Sequence, residues 1–338
     1  MVEHKVVNDE QPSTAHLKPP AISPDLLSQF GPMLVLLLLL IIFSVFNPFF
    51  GKFDNLMLIA LEAATIGIVA AGQTLVILTG GIDLSAGSLV GLTGVIAAGM
   101  MKWGVGPIPP LNAYLALVIG LLVGIASGLF HGIMITKMRV PPFIITLATL
   151  TAFKGLALVY SHASPIHLLP DSFKWLSDAY LWRIPMPTII MVIVYLLCWC
   201  FLSYTTLGRH VYAIGGNEST ARLTGIDVSK CKLYVYSICG FLSALAGMIL
   251  ISRLDGGIYT NGEGYELATI ATVVIGGTSL MGGHGSIWGT VVGVLIMITI
   301  NNALVMYSVP PEWKNVFTGT VIIIAVLIDI LRKRSTGN

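Results

Sequence analysis

The sequence predicts an all-α, polytopic integral membrane protein with about ten transmembrane segments, some of them broken or re-entrant. Apolar residues make up 55% of the 338 residues and charged residues only 10%, whereas a soluble globular chain carries about 25% charged residues. The mean hydropathy is +0.88. Apolar stretches close to the ~20 residues that a spanning helix needs recur along the chain.

The positions of the apolar stretches and of the basic residues predict a topology. The stretches lie at 27–46, 56–79, 85–101, 111–135, 143–160, 187–205, 232–252, 265–280, 285–306 and 315–331. Ten crossings place eleven Lys and Arg residues on the side of the termini and six on the other side. Because cytoplasmic loops are enriched in Lys and Arg, we expect both termini to be cytoplasmic.

This topology divides the chain into three parts. The domain boundaries are a disordered cytoplasmic tail at 1–26, a transmembrane domain at 27–331 containing a cytoplasmic loop at 206–231, and a basic cytoplasmic tail at 332–338. The net charge of +2 gives no indication of a nucleic-acid partner. The four cysteines suggest neither a disulfide framework nor a zinc site, because C-x-C at 198–200 lacks a second ligand pair.

The first break in the apolar pattern is the segment GGIDLSAGS at 80–88. Lipid provides no hydrogen-bond partner, so a break at membrane depth must be buried in protein or face a watery cavity. Asp83 and Ser85 suit the N-cap of the next helix, or Asp83 is a pathway or gating group, since an intramembrane charge is costly. Gln73 can hydrogen-bond a neighbouring helix or a polyol, and Ser88 adds a further hydroxyl.

The second break, at 276–286, reads GGTSLMGGHGS. It lacks the Lys-Ser/Thr that follows the last glycine of a P-loop, so we expect no nucleotide site here. The glycines predict a tight turn where helices cross closely, and Thr278 and Ser279 offer weak polar contacts. A short match between 74–85 and 272–280 suggests an internal duplication of the kind transporters carry.

Glycines and charges inside the apolar segments add two further expectations. Small residues on one helical face allow close packing in lipid, and they occur at Gly87, Gly91 and Gly94 and again at Gly120, Gly124 and Gly128. Lys154 falls within the fifth segment and can extend its stem outward. Glu266 opens the eighth segment, where it either stabilises a helix N-terminus or contacts a ligand or a partner protein.

The loop at 205–226 is the longest on the inferred cytoplasmic face. Within it, NESTARL at 217–223 predicts a short helix that Asn217 caps and Gly225 ends. Such a helix either docks in a groove of a soluble partner or is a solvated connector.

Several motifs together resemble the permeases of monosaccharide importers of the ATP-binding-cassette (ABC) class, of the ribose, xylose, arabinose and galactoside type. They are TLVILTGGIDLSAGS at 74–88, VPPFIITL at 140–147, GR at 208–209, YAIGGNE at 212–218, AR at 221–222, GI at 225–226, YEL at 265–267, IATVVIGGTS at 270–279 and GT at 289–290. The match spans about residues 30–332. Family members often have Asn-Gly where this chain has His131-Gly132, and Ala before Ala221 where it has Ser219 and Thr220.

The resemblance implies a transport subunit without its own catalytic site or cofactor, in a bacterial-type inner (cytoplasmic) membrane. Two permease copies would form the pore, a separate cytoplasmic ATPase would dock on the loop, and a periplasmic binding protein would deliver a small sugar. The expected substrate-pathway residues are Gln73, Asp83, Ser85, Ser88, Thr278 and Ser279. The expected ATPase-coupling residues are Asn217, Glu218, Ala221, Arg222 and Gly225.

Two alternatives remain at the level of sequence. A branched-chain amino-acid permease has the same architecture, but a zwitterionic substrate calls for more charges along the pathway than the chain offers. An ion-coupled secondary transporter usually carries coupling carboxylates deep in its helices, and Glu62 and Asp83 are the candidates for that role.

Overall fold

The computed structural model describes residues 24–104, 106, 108–310, 312, 313, 316–320, 323 and 327. The tail predicted at 1–26 falls almost entirely outside these residues, as do the basic tail at 332–338 and much of the segment predicted at 315–331.

Helices dominate the described chain. They are α1 (Pro24–Phe46), α2 (Phe53–Leu78), α3 (Ala86–Lys102), α4 (Ala113–Thr136), α5 (Pro142–Tyr160), α6 (Asp171–Asp178), α7 (Met186–Tyr204), α8 (Thr206–Gly216), α9 (Glu218–Leu223), α10 (Val228–Arg253), α11 (Tyr265–Ile275) and α12 (Ile287–Met306). Four two-residue strands form two antiparallel pairs: β1 (Ile166–His167) with β4 (Gly256–Gly257), and β2 (Tyr180–Leu181) with β3 (Ile184–Pro185).

Six of the helices, α2, α4, α5, α7, α10 and α12, are long and apolar enough to cross a membrane. Shorter apolar helices lie at Gly31–Phe46, Ala86–Lys102 and Tyr265–Ile275. The predicted class, a helical multi-pass membrane protein, is confirmed. The helix of the eighth segment ends at Ile275, five residues earlier than predicted.

The centre of the bundle is α10, which packs on α2, α3 and α4. Gly124 of α4 lies against Gly240 of α10, where a Cβ atom on either glycine would collide with the main-chain oxygen of the other. Gly128 approaches the main chain of Tyr236 and Ser237 in the same way. The prediction of close helix packing along this face of α4 is therefore confirmed.

A non-helical segment at 254–264, here called the strap, connects α10 to α11 and lies along α3. A Cβ on Gly257 would contact Val95 and Ala98, whereas one on Gly91 would meet the main-chain oxygens of Tyr259 and Asn261. The strap therefore runs along α3 toward the N-terminus of that helix, which it reaches near Gly87.

The glycine face of α3 thus packs differently from the expectation. Gly94 does face a helix, because its nearest neighbour is Ile251 of α10. Gly87 and Gly91 instead accommodate the main chain of the strap. Non-helical backbone at membrane depth is tolerated where it is buried in protein or lines a cavity. The glycine face of α3 has no side chains that would keep the strap away, so the strap is buried against it.

Candidate functional site

Asp83 is 1% exposed and organises the turn that precedes α3. Its Oδ1 accepts hydrogen bonds from the Ser85 amide at 2.8 Å and from the Ser85 hydroxyl at 2.7 Å. Ser85 holds the N-cap position of α3, but its side chain makes no capping hydrogen bond to the helix. The carboxylate therefore fixes the turn one step before the helix begins, a local side-chain-to-backbone bond typical of Asp.

The second carboxylate oxygen of Asp83 faces a buried polar cluster from α4 and α10. Asp83 Oδ2 lies 3.9 Å from His131 Nδ1 and 3.8 Å from Cys239 Sγ. His131 Nε2 lies 2.7 Å from the Thr149 hydroxyl on α5. His131 Nδ1 and the hydroxyl of nearby Tyr236 have no hydrogen-bond partner among the described residues.

The residues around Asp83 in this cluster, His131, Tyr236, Cys239 and Thr149, were not among the predicted site residues. The family resemblance marked His131 only as a departure from the pattern, and Tyr236 gave no signal beyond being a polar tip inside an apolar helix. A Cβ on Gly81 would collide with the Tyr236 hydroxyl, so this tyrosine lies directly against the first break. The proximity of His131 and Tyr236 depends on how α4 and α10 cross, which no local sequence motif indicates.

The main chain of the first break is held by side chains from two other elements. The amide of Gln73, oriented with its nitrogen toward the Asp83 carbonyl, bonds the Asp83 N–H and C=O at 3.2 Å each. The Thr146 hydroxyl of α5 lies 3.2 Å from the carbonyl oxygen of Ile82 and donates to it. Gln73 is fully buried. The backbone of Ile82 and Asp83 is therefore hydrogen-bonded by protein side chains.

The other predicted pathway residues lie at the same breaks. Ser88 is half-buried and its hydroxyl donates to the Ser85 carbonyl at 2.8 Å. Thr278 and Ser279 are buried in the second break, where the Ser279 amide donates to the His284 carbonyl at 2.9 Å. The Thr278 hydroxyl lacks a partner among the described residues.

The main chains of three separate parts of the chain are in contact at a site that we call the glycine junction. It consists of Gly80 from the first break, Gly215 from α8, and Gly282 and Gly283 from the second break. The Gly283 amide donates to the Leu78 carbonyl at 3.0 Å, joining the second break to the end of α2. A Cβ on Gly215 would collide with both of these atoms, and one on Gly282 would lie 2.7 Å from the Gly80 nitrogen. The end of α8 therefore touches both breaks at once.

The predicted short helix in the long loop exists as α9 and has both predicted ends. Asn217 Oδ1 accepts from the Thr220 amide at 3.0 Å at its start. At its end Gly225 adopts φ +85°, and the amides of Gly225 and Ile226 donate to Arg222 and Ala221 carbonyls. This is the Schellman arrangement, in which glycine takes the left-handed conformation without a Cβ penalty.

Charge pairing holds α9 against the bundle. Glu218 accepts hydrogen bonds from Lys232 Nζ at 2.6 Å and from Arg222 Nη2 at 2.7 Å. Burial alone would raise the pKa of Glu218, but the bonds from these two cations outweigh it and hold the pKa below its ordinary value. Ala221 is 4% exposed and packs inward, whereas Leu223 is 88% exposed.

Leu223 was not predicted as a site residue. The sequence did contain an indication of this residue, because Leu223 is an apolar residue inside a polar loop. The residues predicted for coupling mostly cap, pair or anchor α9, and Leu223 is the large apolar side chain that α9 presents outward.

The described residues thus form a helical bundle with two main-chain breaks and a short surface helix, α9. The chain belongs to the family described as branched-chain amino acid transport system / permease component, whose model matches residues 55–326.

Curated relatives from several bacteria cover nearly the whole chain. The ribose import permease of Bacillus subtilis (strain 168) is 46% identical over 311 residues, which cover 91% of this chain and 94% of that protein. The D-allose transport system permease of Escherichia coli (strain K12) is 36% identical, covering 90% and 92%. The fructose import permease of Rhizobium meliloti is 36% identical, covering 88% and 84%.

These relatives confirm the resemblance to monosaccharide importer permeases that the motifs indicated. No solved structure matches the chain significantly.

Proposed function

We propose that this permease subunit forms the translocation path for a monosaccharide in an ABC importer, and that a separate subunit hydrolyses the ATP. The observation that carries the proposal is the glycine junction. It places the end of α8, which leads directly into the surface helix α9, against both breaks. A displacement of α8 and α9 therefore acts on both breaks without an intervening flexible side chain. The sugar imports named for the relatives support the substrate class.

The proposed topology keeps ten membrane segments with both termini in the cytoplasm of a bacterial-type cell, and the protein in its inner membrane. Six described helices are long and apolar enough to cross a membrane and three shorter apolar helices accompany them, which supports a multi-pass protein. The proposal retains the cytoplasmic tail at 1–26, the permease domain at 27–331 with its coupling loop at 206–231, and the basic tail at 332–338. We propose that two copies assemble around the path.

We further propose that a cytoplasmic ABC ATPase docks on α9 and that a periplasmic sugar-binding protein delivers the substrate. Asn217, Glu218, Ala221, Arg222 and Gly225 shape and hold α9, as their caps, ion pairs and burial suggest. The exposed Leu223 then enters a groove of the ATPase. Burying a leucine side chain that is exposed in the free protein contributes about 1.5–3 kcal/mol.

The predicted pathway residues take a gating role in this proposal. Gln73, Asp83, Ser85, Thr278 and Ser279 are buried, and Ser88 is half-buried. They hold the two breaks in the closed arrangement, and motion at the glycine junction releases them.

The name of the matched family retains amino acids as a second candidate substrate class. Relatives between 36% and 46% identical carry sugar names instead, which favours the sugar. The ion-coupled alternative loses support because Asp83 is engaged by Ser85 and Glu62 lies 3.6 Å from Arg253.

The energy source provides a direct test. We expect purified permease alone neither to bind nor to hydrolyse ATP, and vesicles containing the permease, the ATPase and the sugar-loaded binding protein to import sugar when ATP is supplied. Uptake should persist after proton and sodium gradients are collapsed at constant ATP. Gradient-dependent uptake, or specific nucleotide binding by the isolated permease, would overturn the assignment.

A second test addresses the docking helix. Leu223→Ser should weaken co-purification of the ATPase about tenfold, since losing the burial of a leucine side chain costs about 1.5 kcal/mol or more of binding free energy. Arg222→Glu should act in the same direction, because it replaces an attractive pair with Glu218 by a like-charge pair.

The matched control is Leu168→Ser, which removes another exposed leucine, 73% accessible, from the opposite side of the proposed topology. We expect it to leave ATPase co-purification unchanged. Equal co-purification of the ATPase with the wild type and with Leu223→Ser would refute docking through α9.

A further inference from the structure

An exposed ion pair links α5 to the strap. Lys154 Nζ lies 2.6 Å from Glu263 Oε1, and the two side chains are 46% and 57% exposed. Glu263 lies on a turn of the strap, where its amide donates to the Thr260 carbonyl at 3.0 Å. Thr260 is exposed as well. Glu266, three residues after Glu263, is half-buried.

The contacts along α5 place this pair well inside the membrane-spanning region. Thr146 near the start of α5 bonds Ile82 at the first break, whereas Tyr160 at its end contacts the other end of α3. Lys154 lies twelve residues after Pro142, about 18 Å along the helix at 1.5 Å per residue. The strap approaches the same level because Gly262 packs on Gly87 and Val90.

Exposed charges at this depth differ from the rest of the bundle surface. The outward face of α4 exposes only apolar side chains over a comparable depth: Leu115, Val118, Leu122, Leu129 and Ile133. That face suits lipid. A charged side chain in hydrocarbon is costly, and charges at membrane depth face a bundle interior or a water-filled cavity. The surface at Lys154 and Glu263 therefore suits contact with water and not with lipid.

We propose that Lys154, Glu263 and Thr260, with Glu266 beside them, form a hydrated contact site for the sugar on the translocation path. This inference rests on the proposed function and assigns the substrate contacts to this face, because the residues at the two breaks are mostly buried. Sugar hydroxyls both donate and accept hydrogen bonds. The carboxylates accept from them and the ammonium donates to them, so the site offers a neutral polyol both kinds of partner.

Water access at this face is tested in the assembled importer with a permanently charged, thiol-specific methanethiosulfonate reagent. Exposed Cys200 is first replaced by serine, and the remaining three native cysteines are buried. Thr260→Cys should react, and sugar-loaded binding protein with ATP should change the rate of reaction. Leu122→Cys, also at an exposed position but on the apolar face of α4, is the control and should stay unmodified.

Sugar contact is tested with Glu263→Gln. We expect the amount of sugar imported per ATP hydrolysed to fall about tenfold, since hydrogen bonds to charged groups contribute more than neutral ones. A purely structural role would lower the melting temperature and reduce uptake and ATP hydrolysis in proportion.

Two outcomes would overturn the inference. Thr260→Cys that resists the reagent but forms a disulfide between two copies would make this face a subunit contact. An unchanged ratio of sugar to ATP in Glu263→Gln, whether both rates stay normal or fall together, would remove the pair from the path. Failure of the proposed function looks different, because the wild-type importer itself would then not take up sugar with ATP.

Discussion

Gly215→Ala is expected to abolish ATP-driven uptake, whereas Gly216→Ala should transport like the wild type. A Cβ on Gly215 would collide with the Leu78 carbonyl oxygen and the Gly283 amide nitrogen, which are hydrogen-bonded to each other. These are main-chain atoms, so no side chain can rotate away. Inserting a group into such a contact typically costs about 1–3 kcal/mol and displaces the backbone.

Gly216 is the matched control because it lies next in the same helix and a Cβ there would have no neighbour within 4 Å. Alanine is favoured over glycine within helices by about 1 kcal/mol, so this variant should be at least as stable as the wild type. Uptake into vesicles and the melting temperature should be measured for both variants. Full transport by Gly215→Ala would show that the glycine junction does not couple α8 to the breaks.

Asp83→Ala should produce the second large effect, a loss of stability together with a loss of uptake. It would leave the buried Ser85 amide and hydroxyl without the oxygen that now accepts from both. Leaving buried donors unsatisfied costs about 1–3 kcal/mol. The melting temperature of the detergent-solubilised permease and its expression level would report this loss.

Asp83→Asn separates the carboxylate's hydrogen-bonding role from its charge. An asparagine keeps an oxygen at the Oδ1 position, so we expect near-normal melting and near-normal uptake. If this variant instead melted normally but failed to transport, the charge next to His131 and Cys239 would itself control the path. If both Asp83 variants behaved like the wild type, Asp83 would have neither role.

Local features of the sequence predicted much of this architecture. Apolar length located the helices, because each spanning segment must satisfy its own backbone. Four-residue glycine spacing predicted the close approach of α4, and Asn217 with Gly225 predicted both ends of α9. Each of these features depends on residues within a few turns of one another.

Long-range pairings could not be predicted in the same way. The cluster around Asp83 takes His131 and Tyr236 from helices far apart in the chain, and Lys154 meets Glu263 across 109 residues. The periodicity of α3 indicated a small-residue face but could not distinguish a helix from irregular main chain as its neighbour. Apolar composition located the start of α11 and overestimated its length, because the second break is itself rich in apolar and small residues.

The position of the strap also sets an order in which the protein can be completed during synthesis. Roughly 150 residues separate the end of α3 from the strap. At a synthesis rate of about 5–20 residues per second, the strap is therefore made on the order of ten to thirty seconds after α3. During that time Gly87 and Gly91 lack the segment that covers them. Chains terminated before residue 254 should therefore be membrane-inserted yet unfinished, and pulse-chase labelling should find them degraded faster than the full-length chain.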